Sequence, residues 1–269
     1  MKVLVSRHNA LYRQWMTEMK HAGRAGHNAW LEGVHLCQSW LQHRGQPQWA
    51  LFAQEGGDHV EISALAAQIE ETRQVWMPQN LLSGLSTLVT PAPVIFIAPV
   101  KEPAKAPQIE ATSVLLDGIQ DPGNVGTLLR TAAAAGVRTV CTGPGTARCW
   151  SPKVLRAGQG AQFCLSLHEG IDLPSLLVSH KAGESRLPVL VTTLDPHAES
   201  LYDTDLAADV VWVFGHEGRG VAAEIVELAD RKIFIPHDTQ AVESLNVTTA
   251  AAICLFEQHR QRKAARPAQ

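Results

Sequence analysis

From Val114 onward the 269-residue chain alternates short apolar runs with longer runs of helical spacing, and this alternation limits the possible fold more than any other feature. The spacing predicts strands near residues 113–117, 138–142, 188–193, 210–214 and 232–235. Helices are expected near 125–135, 151–157, 172–180, 221–229 and 245–262. Strands that take turns with helices pair in parallel, and the helices cover both faces of the sheet. The expected class is therefore α/β. Upstream, Pro99, Pro103 and Pro107 interrupt a stretch that can continue neither a helix nor the interior of a sheet. It reads as a linker, 101–110, between a region 1–100 and a region 111–269. In the first region, residues 12–20 and 30–41 have helical spacing, and Val94–Ala98 reads as a short buried strand.

With 45% apolar and 18% charged residues, the chain has the makings of a folded core. No apolar run approaches the roughly 18 residues that a membrane span needs. The start, Met1-Lys2-Val3-Leu4-Val5-Ser6-Arg7, lacks the apolar stretch of a secretory signal. Cys37, Cys141, Cys149, Cys164 and Cys254 are scattered, with no CxxC pair, and read as free thiols of a cytoplasmic protein. A net charge of −3 argues against nonspecific coating of nucleic acid. The distribution is uneven, however. Lys2, Arg7, Arg13, Lys20, Arg24 and Arg44 outnumber Glu18 and Glu32 at one end, and Arg260, Arg262, Lys263 and Arg266 close the other. Such ends suit an RNA held at particular places, and a basic tail equally suits a solvated helix end.

Three segments carry chemistry. The first, Asp121-Pro122-Gly123-Asn124-Val125-Gly126-Thr127-Leu128-Leu129-Arg130, follows the apolar Val114-Leu115-Leu116 and opens a helical run that stops at Gly136. It is a strand, a tight turn and a helix, with an amide at the turn and a guanidinium further along. The second, Phe214-Gly215-His216-Glu217-Gly218-Arg219-Gly220, has three glycines that let backbone approach a ligand and take positive φ. It is equally a plain turn from strand to helix. The GxGxxG order is absent, which removes a dinucleotide oxidoreductase, and His-Glu-Gly is not HExxH, which leaves a zinc hydrolase without support. The third is Ile235-Pro236 followed by Ser244-Leu245-Asn246-Val247. Here the proline halts a strand, and Ser244 stands where it can cap a helix beginning at Leu245. A further piece, residues 151–161, carries Lys153 and Arg156 one turn apart, as phosphate contacts or as plain surface charge.

Together these segments resemble the motifs of the SpoU (TrmH-type) branch of the SPOUT methyltransferases, strongly over 113–262. Ser6-Arg7-His8-Asn9-Ala10-Leu11 and Trp30-Leu31-Glu32-Gly33-Val34-His35-Leu36 resemble, more loosely, the L30e/L7Ae-like α/β domain that precedes many SpoU domains. The resemblance implies a parallel-sheet domain with a C-terminal trefoil knot and a homodimer paired across it. It implies transfer of a methyl group from S-adenosylmethionine to a ribose 2′-hydroxyl of RNA, ribosomal RNA ahead of transfer RNA, with no metal. It carries Asn124, Arg130, Glu217, Ser244 and Asn246 over as active-site residues, and Gly215, Gly220, Ile235 and Leu245 as contacts to the methyl donor. Arg7, Arg24, Lys153 and Arg156 become the expected RNA contacts. A ribose hydroxyl is a poor nucleophile, so the enzyme must position it in line with the sulfonium methyl and stabilise developing charge. An arginine, protonated at all ordinary pH, suits phosphate anchoring or alkoxide stabilisation better than proton removal.

Three positions depart from the family pattern. His216 stands where asparagine or serine is commoner and reads as a solvent-facing change. Gly158 replaces a serine. The stretch His237-Asp238-Thr239-Gln240-Ala241-Val242-Glu243 is one residue longer than usual and has no glycine. That loop favours a second reading, a non-catalytic RNA-binding or ribosome-assembly factor. The intact Asn124, Arg130, Glu217, Ser244 and Asn246 oppose it.

Overall fold

The computed structural model describes residues 2–56, 59–101, 107–183, 186–195 and 197–265. Residues 102–106 of the expected linker and Arg266 of the basic tail lie outside them. The chain divides into two compact units, Met1–Lys101 with Arg148–Phe163, and Glu102–Ala147 with Cys164–Gln269.

The first unit runs β1 (Lys2–Val3), α1 (Ala10–Met19), β2 (Ala29–Glu32), α2 (Val34–Arg44), β3 (Trp49–Ala53), α3 (Val60–Ala66), β4 (Gln74–Met77), α4 (Gln79–Ser83) and β5 (Val94–Ala98). Its sheet has the order β1-β4-β3-β5-β2, parallel from β1 to β3 and antiparallel where β5 meets β3 and β2. The helix expected over 30–41 is corrected here. Trp30 to Glu32 form β2, and the helix starts only after Gly33, whose φ of 98° redirects the chain. A three-residue apolar run is compatible with either period, and pairing with β5 decides it. Later residues return to this unit. Gly23 lies so close to Trp150 that a Cβ would sit 2.1 Å from its carbonyl oxygen. Trp40 packs edge-on against Phe163 with centroids 5.3 Å apart, and Arg44 donates to the carbonyls of Phe163 and Gln162.

The second unit begins with β6 (Ser113–Asp117), α5 (Pro122–Ala134) and β7 (Thr139–Thr142). After α6 (Pro152–Gly158), which belongs to the first unit, come β8 (Ser166–His168), α7 (Leu173–Ala182), β9 (Val189–Thr192), β10 (Glu199–Ser200), β11 (Val211–Gly215), α8 (Ala223–Leu228), β12 (Arg231–Phe234) and α9 (Val247–Ala265). The sheet order is β10-β12-β9-β11-β6-β7-β8, parallel throughout. The expected strands are all present. The two short ones, β8 and β10, contain Ser166, Glu199 and Ser200 and have no apolar run to announce them.

Successive side chains of a strand face opposite ways, and here both faces are covered. Leu115, Val211 and Val213 pack with Leu173 and Leu177 of α7 and Ile225 of α8. Trp212 faces the other layer, where α5 and α9 pack together. Helix α5 is well delimited. Asp121 caps it by accepting from the Asn124 amide at 2.8 Å, Pro122 occupies its first turn, and Gly136 (φ 91°) ends it in a Schellman pair of bonds. All five cysteines are free, and burial pushes the Cys141 thiol up to about 12. Among the described residues no helix is long and apolar enough to cross a membrane.

Gln258 on α9 is 2% exposed and fully engaged. Its Oε1 accepts from Trp212 Nε1 at 2.9 Å, and its Nε2 donates to Ala208 O at 3.0 Å and Thr112 Oγ1 at 3.3 Å. Gln258→Leu leaves the buried Trp212 Nε1 without its acceptor, and urea unfolding is expected to show a loss of roughly 1–3 kcal/mol with no change in m.

Candidate active site

Strands β6 and β11 are neighbours, with Gly215 opposite Asp117 and Phe214 opposite Leu116. From β6 the chain passes through α5 to β7 on one side, and from β11 through α8 to β12 on the other. Adjacent parallel strands whose connections leave in opposite directions open a crevice at their carboxyl ends. The loops 118–121 and 216–222 stand at that crevice. Asp117 ties them together, accepting from the Ala222 amide at 2.8 Å.

The second loop is folded tightly on itself. The His216 amide donates to Gly220 O at 3.0 Å, and the Gly220 amide, at φ 70°, donates to His216 O at 2.8 Å. A Cβ on Gly215 would lie 2.3 Å from Gly220 C and Val221 N, so glycine is required there by backbone crowding. His216, read as a solvent-facing change, is half-buried, and its imidazole bonds its own loop. Its Nδ1 accepts from the amides of Gly218 at 2.9 Å and Arg219 at 3.3 Å.

Three of the expected residues meet in one hydrogen-bonded chain. Asn246 Oδ1 accepts from the amide and hydroxyl of Thr248, which leaves its Nδ2 to donate to Asn124 Oδ1 at 3.3 Å. Asn124 Nδ2 in turn donates to Glu217 Oε1 at 2.9 Å. The order is directional, because each amide has its oxygen occupied on one side and its NH₂ pointing to the next group. Glu217 ends the chain as an acceptor. Desolvation of its carboxylate favours the neutral acid, yet the bonds from Asn124 and from the backbone amides of Glu217, Asp121 and Gln120 outweigh it and hold the pKa below its ordinary value. Asn246 also corrects the expected cap. Helix α9 starts at Val247, and Asn246 caps it, while Ser244 lies exposed in the loop before it. An asparagine two residues before Thr248 reaches its amide, and Ser244 is too far back to do so.

Residues 111–256 match the SpoU rRNA methylase family. The chain belongs to that family. The 23S rRNA (guanosine(2553)-2'-O)-methyltransferase of Bacillus subtilis is 31% identical over 261 residues, which span 95% of this chain and 98% of that protein. A crystal structure of an RNA 2'-O ribose methyltransferase is similar with a TM-score of 0.77 at 28% identity, covering 97% of this chain and 99% of that one. The SpoU methyltransferase AviRb of Streptomyces viridochromogenes, solved in complex with AdoMet, shares the fold with a TM-score of 0.80 at 24% identity, covering 96% and 100%.

The other residues singled out from the SpoU motifs lie apart from the polar chain. Arg130 is exposed on α5 with no bond to any described residue. Six residues at about 100° each leave it about 120° around the helix from Asn124. Ile235 is buried just after β12, and its carbonyl accepts from His237 Nδ1 at 2.7 Å. Leu245 is half-buried. Two separate features would suit a small-molecule contact. The side of Gly220 where a side chain would project is open to at least 4 Å, and the buried Nε2 of His237 has no donor among the described residues. Arg7, Arg24, Lys153 and Arg156 are exposed and form no ion pair with described residues. The contact of Gly23 with Trp150 brings the segments bearing Arg24 and Lys153 together. In the basic tail, Arg262 is turned inward to Asp209 at 2.9 Å, and Arg260 pairs with Glu257. Among the described residues no three His, Cys, Asp or Glu side chains converge on a metal site.

Sequence reading gave no role to Asp117 or Asp121 and no bond to the ring of His216. An acid just before Pro122 was a legible capping signal. The other two bonds join residues through loop geometry and left no local pattern.

The depressed pKa of Glu217 has a signed consequence. Its carboxylate contributes stability above the unfolded value of about 4.3, and this is lost as the pH falls through the lower folded value. The urea midpoints of wild type and Glu217→Gln are expected to converge as the pH is lowered from about 6 to about 3.

Proposed function

We propose that this protein transfers a methyl group from S-adenosylmethionine to the 2′-hydroxyl of a ribose in RNA, ribosomal RNA before transfer RNA. The observation that carries the reading is the chain Asn246–Asn124–Glu217, drawn from residues 122 and 93 apart and placed at the crevice between β6 and β11. The names of the Bacillus relative and of the similar crystal structures support the same reaction. S-adenosylmethionine, when bound, supplies an already activated methyl group. What remains for the protein is to bind, orient and stabilise.

The residues divide that work. Gly215, Gly220, Ile235 and Leu245 hold the donor, with backbone rather than side chains offered at the two glycines. Glu217 stays ionised and accepts a hydrogen bond, and Asn124 and Asn246 fix where its carboxylate points. Ser244 is a further polar group of the site. Arg130 is free to take an RNA phosphate or the developing alkoxide, and a guanidinium suits either anion. Its distance from the Asn124 face fits service to the active site of a second subunit, so the working form is a homodimer. The same reading includes the C-terminal trefoil knot, an L30e-like substrate domain over residues 1–100 and a cytoplasmic location. Arg7, Arg24, Lys153 and Arg156 bind RNA phosphates.

Incubation of the protein with methyl-labelled S-adenosylmethionine and ribosomal RNA is expected to give alkali-resistant, 2′-O-linked label. Arg130→Ala is expected to lower kcat at least about a hundredfold while calorimetry shows donor affinity unchanged. Label on a base, or full activity in Arg130→Ala, would overturn this assignment.

A further inference from the structure

His216 immediately precedes Glu217, and its ring is turned back onto its own loop. Nδ1 lies 2.9 Å from the amide nitrogen of Gly218 and 3.3 Å from that of Arg219. Both amides are donors, so Nδ1 must offer a lone pair, and the neutral ring carries its proton on Nε2. The main chain of the same residue is paired with Gly220 in both directions. The loop is thus closed twice, once across the backbone and once across the ring, and Glu217 is held between the two closures.

The second closure has work to do. Gly218 has no Cβ to limit its backbone, and a loop ending in Gly218-Arg219-Gly220 has many conformations to choose from. Outside its own residue, Glu217 has one short bond, to Asn124, because the amides of Gln120 and Asp121 stand 3.5 Å away, at the limit of a hydrogen bond. Its aim therefore depends on the loop that carries it. A side-chain acceptor that gathers the amides two and three residues on restrains that loop in the way an Asx turn does, and imidazole reaches both.

We propose that His216 is a positioning residue for Glu217, its Nδ1 capping the loop 217–219 so that the carboxylate stays against Asn124. The effect on catalysis rests on the methyl-transfer reading above, whereas the loop cap rests on the distances alone.

The test uses the full chain, wild type, His216→Leu and His216→Asn, the last keeping an acceptor two atoms from the backbone. In ¹⁵N-histidine-labelled wild type, the neutral His216 ring should show the tautomer with its proton on Nε2. Hydrogen exchange at the Gly218 and Arg219 amides should quicken in His216→Leu, with the urea midpoint held, and should slow again in His216→Asn. In the methyl-transfer assay, kcat should fall about tenfold in His216→Leu with KM for the donor little changed, and should recover to within about threefold in His216→Asn. A neutral ring protonated on Nδ1, unchanged exchange in His216→Leu, or an asparagine variant as impaired as the leucine one would overturn the proposal. Wild type that transfers no methyl group but shows the expected exchange pattern would overturn the methyl-transfer reading and leave the loop cap standing.

Discussion

The rest of the site depends on the register of β11 against β6. Pairing Gly215 with Asp117 ends the two strands level with each other, so the loops that follow them start side by side. Glu217 is two residues past one strand end, and Asn124 is in the first turn of the helix after the other. Each residue of strand advances the chain by about 3.3 Å, and a slip of one would carry the carboxylate beyond the 2.9 Å it now has to Asn124. The register is itself secured by burial. A one-residue slip would turn Leu115, Val211 and Val213 away from α7 and α8 and move Trp212 off Gln258.

Side-chain amides serve as connectors at the start and in the middle of α9. Near its start, Asn246 caps the helix with its oxygen and aims its NH₂ at Asn124. Deeper in, Gln258 joins Trp212 of β11 to Ala208 and Thr112. An amide holds a donor and an acceptor on one rigid plane, so it transmits orientation without placing a charge in the layer. The only ionised group of the polar chain is Glu217, at its open end, where hydrogen bonds keep its pKa down. A helix anchored by Gln258 and packed against α5 thus fixes the direction of a carboxylate on a different loop.

Glycine has two separate uses at this crevice. At Gly215 the backbone of Gly220 and Val221 occupies the space a side chain would need, so the residue is dictated by the loop's own packing. At Gly220 the φ of 70° requires glycine while the adjoining space is open, so the backbone conformation and not crowding dictates the residue. The three glycines of the motif are alike in the sequence, and the difference between them exists only in three dimensions.

Periodicity alone determined most of the second unit. Strands β6, β7, β9 and β11 are largely buried and β12 buries Ile233, and four helices, α5, α7, α8 and α9, stand between or after them, because a parallel sheet covered on both faces must be written that way. The capping of α5 by Asp121, Pro122 and Gly136 is local as well, since all its bonds lie within a few residues. What was not legible is long-range or ambiguous at short range. Trp30 to Glu32 fit a helix or a strand until β5 lay alongside them. The cap of α9 passed from Ser244 to Asn246 because that helix begins where it meets its neighbours. Asn124, Glu217 and Asn246 could be named from motifs, but their order in one hydrogen-bonded chain, and the absence of Arg130 from it, depended on how two loops and a helix end converge. Sequence records spacing along the chain, whereas a bond across 93 or 122 residues is set by the sheet and helices that bring its ends together.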